Sequence, residues 1–230
     1  MNGRTHAVIG AASIAGAAPL GVSLIDCAPL AVIAARFALG PDIDHPGSTI
    51  SNSMPKFIHK IVHTMCRAAR TATAAGRDRS HFAWKKRQGH DPEHRTLTHT
   101  LVSGAGIAGI AWQAALLPYG TAVMAALAAW WCRKLAGGLW LVMVAGAGVA
   151  LFVPVDPVLV AWAAGAGWIS HIIADGCTKA GVPLLWPIPI GGYRWYRFKL
   201  LGKILASGDK KEWIAGLFVA ALMNTPLLLL

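Results

Sequence analysis

Long apolar blocks joined by short polar segments dominate this chain, and they leave few folds open to it. Seven blocks stand out: His6–Leu20, Leu24–Leu39, Leu101–Leu117, Tyr119–Cys132, Leu139–Val153, Pro157–Ala174 and Trp213–Leu230. They run about 15 to 20 residues, enough for a helix to cross ~30 Å of hydrocarbon at 1.5 Å per residue. Of the residues 55% are hydrophobic and only 13% charged, where a soluble domain carries about 25% charged. The expectation is an all-α, polytopic helical membrane protein of about six to seven transmembrane helices, folded as one domain over residues 1–230. The first and fourth blocks are short enough to be tilted or re-entrant. The first follows Arg4 as a signal peptide would, but His6 is polar and no clean cleavage site precedes a soluble domain, so it reads as a span.

Charge orients the spans. The net charge is +11, and all 21 Lys and Arg fall on one side of the block order: Arg4, Arg36, the cluster from Lys56 to Arg95, Arg133 with Lys134, and the cluster from Lys179 to Lys211. The opposite joints, near Gly21, Pro118 and Val153–Asp156, hold none. The positive-inside rule makes the basic side cytoplasmic, with the amino terminus inside and the end of the seventh block outside. This topology, with attraction to anionic lipid, accounts for the charge without nucleic acid. Cys27, Cys66, Cys132 and Cys177 form no CxxC pair, so neither a disulfide nor a zinc-thiolate site is expected.

Two polar stretches lie on the basic side. Residues 46–98 form a basic insertion. Within it Phe57, Ile58, Ile61, Val62, Met65 and Ala69 follow one helical face, while Lys56, Lys60, Arg67 and Arg70 take the other, the pattern of a helix lying on a membrane surface. His59 and His63, four residues apart, read as interfacial residues of that helix rather than metal ligands. "RDRSHFAWKKRQGHDPEH" reads as a loop or a partly mobile segment. Residues 188–212 turn aromatic and basic at Tyr193, Arg194, Trp195, Tyr196 and Arg197, which suits the headgroup layer as an anchor or as a lip for a lipid substrate. The last block, 213–230, is a transmembrane helix. "GAGIAG" at 104–109 matches a dinucleotide fingerprint but sits inside an apolar block with no strand before it, so it reads as a helix-packing surface. No P-loop or GxSxG elbow is present.

Polar residues beside the membrane are costly and point to function. His6 opens the first block. "LGPDIDHPGS" sets Asp42, Asp44 and His45 after the second, and "HRTLTHT" sets His94, Arg95, Thr98 and His99 before the third. His171 and Asp175 share a helix face near the end of the sixth. Taken singly, His6 could be a cap, Asp42 and Asp44 a turn, and His171 with Asp175 an intrahelical hydrogen bond. On this topology all of them reach the cytoplasmic helix ends, at one depth. Mixed Asp and His ligands suit Zn²⁺, with Mn²⁺ or Fe²⁺ as alternatives. Their number exceeds one tetrahedral shell and fits two ions, the arrangement used in phosphoester cleavage. Arg95 is placed to neutralise a phosphate, and Asp44 or His45 to accept a proton.

"TH" at Thr5–His6, "LGPDIDHPGS", "HRTLTHT" and "SHIIADGCTKAGVPLLWP" resemble, in order and over residues 5 to about 187, the YdjM family of membrane-bound metal-dependent hydrolases. That family is grouped with the zinc-dependent phospholipase C and P1 nuclease enzymes, helical proteins that use His and Asp ligands and an H-x-x-x-D pair. The resemblance implies a metal site of His6, Asp42, Asp44, His94, His99, His171 and Asp175. The chain departs from the family pattern in its long basic insertion between His45 and His94, and in Thr100 where the motif ends in Ser. The function expected is hydrolysis of a phosphoester in a lipid or lipid-linked substrate, in a bacterial inner membrane, with catalytic roles for Asp44, His45 and Arg95. The alternatives are a metal-ion or small-molecule transporter using the same residues, or a metal that only staples helices.

Overall fold

The computed structural model describes residues 2–14, 22–74, 76–87, 94–200 and 212–223. The second half of the first block, residues 88–93 of the insertion, residues 201–211 and the end of the last block lie outside them. The described residues are helical, with two isolated antiparallel bridges (Val182 with Phe198, Ile190 with Tyr193) and no strand. The order is α1 (Gly3–Ala12), α2 (Leu24–Phe37), α3 (Thr49–Ser53), α4 (Lys56–Thr73), α5 (Gly76–Arg87), α6 (Leu101–Ala115), α7 (Gly120–Ala136), α8 (Trp140–Val149), α9 (Pro157–Gly176) and α10 (Glu212–Met223). Each apolar block thus carries one helix: α1, α2, α6, α7, α8, α9 and α10.

Among the described residues three helical runs are long and apolar enough to cross a membrane: Leu24–Asp44, Gly120–Val149 and Pro157–Gly176. Within the described residues α6 is apolar over 15 residues, and α1, α8 and α10 are described over 10, 10 and 12. The Gly120–Val149 run is not one rod. Gly137 takes φ 54 and ψ −127, and Trp140 Nε1 donates to Ala129 O at 3.1 Å. Eleven residues of straight helix would hold those atoms some ~16 Å apart, so α8 folds back along α7.

α2 and α9 form the centre, with Leu30, Ile33, Val160, Ala163 and Ala164 buried between their neighbours. Their approach is set by residues without side chains. A Cβ on Gly10 of α1 would lie 2.7 Å from Ala34 O, and one on Gly167 of α9 would run into the same carbonyl. Two helices therefore meet α2 at one peptide unit, a closeness that only glycine permits. His6 lies one turn before Gly10 and His171 one turn after Gly167, so this contact delivers both histidines to the same end of α2. In α6 a Cβ on Gly104 would press on the Ile169 side chain of α9, while Gly106 and Gly109 have nothing within 4 Å, so packing uses one glycine of "GAGIAG".

Start signals are local. Asn2 Oδ1 accepts Thr5 N at 2.9 Å, and Asp156 Oδ1 accepts Val158 N at 2.8 Å ahead of Pro157. Thr100 Oγ1 caps α6 by accepting Ser103 N at 3.2 Å. A Ser there would cap equally well, so the Thr100 departure leaves the local structure intact.

The insertion is more ordered than its sequence implies. α4 is the surface helix expected, with Phe57, Ile61 and Met65 more than half exposed as one outward apolar stripe. "RDRSHFAWKKR", read as a loop, is helical as part of α5. Its residues follow no apolar period. What holds it is Asp78 in the first turn, whose oxygens accept Arg194 N and Trp195 N at 3.0 and 3.2 Å, together with Phe82 packed edge-on to Trp195. Lys85, Lys86 and Arg87 in the last turn complement the helix dipole.

Candidate metal centre

Four elements meet at one end of the α1–α2–α9 unit. α1 brings His6, a 3₁₀ turn at Gly40–Asp44 brings Asp42 and Asp44, the loop before α6 brings His94 to His99, and α9 brings His171 and Asp175. His6, Asp44, His99, His171 and Asp175 are at most 1% exposed. Burial of this kind is costly for charged or polar groups unless partners meet them.

The hydrogen bonds fix which nitrogens face inward. His171 Nδ1 lies 2.7 Å from Ala38 O. A carbonyl can only accept, so Nδ1 carries a proton, and in the neutral ring that a metal binds the Nε2 lone pair points into the centre. Thr98 Oγ1 donates its one hydrogen to Asp44 Oδ2 at 2.8 Å, so it accepts from His99 Nδ1 at 3.0 Å. His99 Nε2 is then also a bare lone pair. Asp44 thereby sets the His99 tautomer through Thr98, a relay of the kind that orients metal-binding histidines.

The inward atoms form a compact set. His99 Nε2 is 3.3 Å from His171 Nε2, 3.5 Å from Asp175 Oδ2 and 3.8 Å from Asp42 Oδ1. His171 Nε2 is 3.6 Å from Asp175 Oδ2 and 3.5 Å from Asp42 Oδ1. Four ligands at ~2.0–2.1 Å around a tetrahedral ion lie ~3.3–3.4 Å from one another. Asp42, His99, His171 and Asp175 thus offer four acceptors, buried or nearly so, whose five separations given above come close to the edge length of such a tetrahedron, and they could hold a metal ion. His171 Nε2 and Asp175 Oδ2, 3.6 Å apart, also form an ion pair across one turn of α9, so the two lie together on one helix face as the sequence suggested.

A second group, Asp42, Asp44 and His94, could also hold an ion and shares Asp42 with the first. Here Asp44 accepts His94 Nδ1 at 2.9 Å, Arg95 N at 3.0 Å and Thr98 Oγ1. Burial lowers the His94 pKa, against the pull of Asp44. His6 belongs to neither group. Its ring stacks on His171 at 3.8 Å, Nε2 lies 3.5 Å from Asp175 Oδ1, and neither nitrogen has a hydrogen-bond partner.

Arg95 has φ 57, a conformation that costs a non-glycine residue of order 1 kcal/mol. It is held by its N–H on Asp44, and by its guanidinium on Asp175 Oδ2 (2.9 Å) and Thr178 Oγ1 (2.7 Å). His45 stands at the rim, edge-on to His94 at 4.7 Å, with Nδ1 accepting Gly47 N at 3.2 Å. Asp42, His45, His94 and Arg95 line a polar cavity of about 260 Å³, the opening of the centre.

Sequence reasoning passed over Trp168 and Ala38. Trp168 Nε1 donates to Thr98 O (2.9 Å) and Ser103 Oγ (3.0 Å), tying the HRTLTHT loop to α9. A tryptophan three residues before His171 was the available signal; Ala38 acts through its backbone and left none. His59 and His63 sit on α4, their rings 5.8 Å apart, in neither ligand group. Changing both to Ala is expected to leave bound metal at the wild-type stoichiometry by elemental analysis; its loss would move the centre to the insertion.

The profile of the YdjM inner membrane proteins matches residues 1–229. No curated protein and no solved structure matches the chain. With the match running nearly end to end, this chain belongs to the YdjM inner membrane protein family.

Proposed function

We propose that the protein is a metal-dependent hydrolase of phosphoesters in lipid or lipid-linked substrates, related to the zinc-dependent phospholipase C and P1 nuclease enzymes. The observation that carries this reading is the cluster of four inward acceptor atoms, all within 4.8 Å of one another. A set of His and Asp ligands of this size suits zinc, and two ligand groups sharing Asp42 support a two-ion centre. A divalent cation there would supply the Lewis acidity and water activation that phosphoester hydrolysis needs. The chain's own residues do the rest. Asp44 fixes the His94–His99 loop and the His99 tautomer. Arg95, oriented by Asp175 and Thr178, places positive charge at the wall of the polar cavity, where a phosphate would sit. His45 accepts Gly47 N–H at Nδ1, so its neutral form carries the proton on Nε2 and suits a donor to the leaving oxygen better than a proton acceptor.

A lipid substrate is supported by an apolar groove of about 640 Å³ between α1, α2, α7 and α8. It begins at Arg4 and Leu135, beside the Gly3 and Leu39 of the polar cavity. Hydrolysis is supported over transport by where the ligands sit: at helix ends, in one layer, rather than on broken helices at mid-depth. The test is metal analysis of purified protein followed by assay on phospholipids and soluble phosphodiesters. Protein without metal, or with metal and no activity on either class, counts against the reading.

The proposed placement is multi-pass, with six to seven helices engaging the bilayer, the amino terminus in the cytoplasm and the centre facing it. A reporter fused after Lys211 should read cytoplasmic and one after Leu230 periplasmic; an outward signal after Lys211 would overturn this orientation.

A further inference from the structure

On the far side of Arg197 from the metal centre is a cleft of about 660 Å³ between α5 and the Lys179–Lys199 segment. Lys179, Arg197 and Lys199 are among its lining residues. No carboxylate among the described residues lines it, and the acid of α5, Asp78, accepts the N–H groups of Arg194 and Trp195. Two lining residues carry orphaned buried nitrogens. Trp195 is 3% exposed with no partner for Nε1, and His81 Nε2 is likewise buried and unpartnered. An indole N–H can only donate, and a buried donor without an acceptor costs about 1–3 kcal/mol. Such orphans call for an explanation, and an acceptor-rich ligand is one. Arg197 is fixed in place by the carbonyls of Ala180, Gly181, His94 and Arg95, at 3.1 to 3.4 Å. Burial lowers its pKa to about 10, so it stays cationic at neutral pH. His81 is held below its usual range by burial first, and then by Arg197 and Lys85, as befits a positive pocket. Trp84 and Tyr196 are exposed at the cleft, aromatic types that favour the headgroup layer.

From this cleft we infer a second binding site, separate from the metal centre, for a phosphate-bearing anion. Its positive walls attract the phosphate, the lining residues Trp195 and His81 hold the two unpartnered nitrogens, and the aromatic edge suits a ligand that arrives on a lipid. The inference does not depend on hydrolysis.

The test uses full-length protein in an uncharged detergent and reads intrinsic tryptophan fluorescence. The probes are inorganic phosphate, a short-chain phosphatidic acid and a short-chain phosphatidylcholine. Phosphatidic acid should bind, and phosphatidylcholine at least tenfold more weakly. Competition by inorganic phosphate at comparable concentration identifies free phosphate as a sufficient ligand; binding of phosphatidic acid without such competition identifies the lipid headgroup as the source. Lys179→Gln with Lys199→Gln, both exposed, should weaken phosphatidic acid binding about tenfold or more while bound metal stays unchanged. Trp195→Phe should weaken it further. Equal affinity for phosphatidylcholine, no binding of either anion, or wild-type affinity in the double lysine variant would each overturn the proposal. A hydrolase assay that fails while anion binding is lost in that variant leaves this site standing and removes only the catalytic reading.

Discussion

Asp175→Asn is expected to strip metal from the protein and to lower phosphoester hydrolysis by on the order of 10²-fold or more. Asp175 Oδ2 lies 3.5 and 3.6 Å from the two inward histidine nitrogens, and Oδ1 lies 3.5 Å from His6 Nε2. Asn keeps the volume but removes the charge that a cation needs among buried histidines. A second cost follows, because Arg95 pairs with Asp175 at 2.9 Å, and breaking a buried pair from one side costs about 3–5 kcal/mol. Asp42→Asn separates the two effects. Asp42 is 22% exposed at its side chain, and the ion pairs that reach it come from histidines, so metal should fall with little loss of thermal stability. Adding Asp44→Asn to Asp175→Asn should be scarcely worse for activity than either alone, as for groups acting as a unit. Metal retained at full stoichiometry in both Asp175→Asn and Asp42→Asn would reduce the cluster to a packing feature.

Gly167→Val should cost about 3 kcal/mol or more and empty the centre together with the fold. The new Cβ would meet Ala34 O, which is backbone and has no rotamer by which to yield. α9 would have to move away from α2, carrying His171 and Asp175 with it. Gly106→Ala and Gly109→Ala are the controls. Nothing lies within 4 Å of a Cβ at either position, and both sit in helix α6, where Ala is favoured over Gly by about 1 kcal/mol. Thermal unfolding in detergent should therefore drop for Gly167→Val and hold or rise for the two α6 variants. A Gly167→Val protein with wild-type stability and metal would mean that helix contact at Ala34 does not build the site.

The helices were legible because apolar blocks leave the backbone little choice, and Asp42, His99, His171 and Asp175 were legible because ionisable residues at helix ends need a reason to be there. The relation between them was not. That α1 and α9 converge on Ala34 depends on the absence of side chains at Gly10 and Gly167, two of 25 glycines in the sequence. His6 read as one ligand among seven, yet the structure stacks it behind His171; spacing gives depth along a helix but not the order of shells around a point. α5 was missed because its order comes from Asp78 bonding to backbone more than a hundred residues away, a contact with no local pattern.

The stacking of His6 on His171 also sets a timetable for biogenesis. At about 5–20 residues per second, the ~170 residues between His6 and Asp175 take the ribosome ~10–30 s to add. Throughout that interval α1 has been made, while the helix whose Gly167 and His171 complete its packing has not. The apolar faces of α1 and α2 can meet early through Gly10 and Ala34, but His6 has to wait for α9 before its ring is covered. Assembly of the centre is therefore a late event, which begins only when the sixth apolar block has been made and closes over the first two.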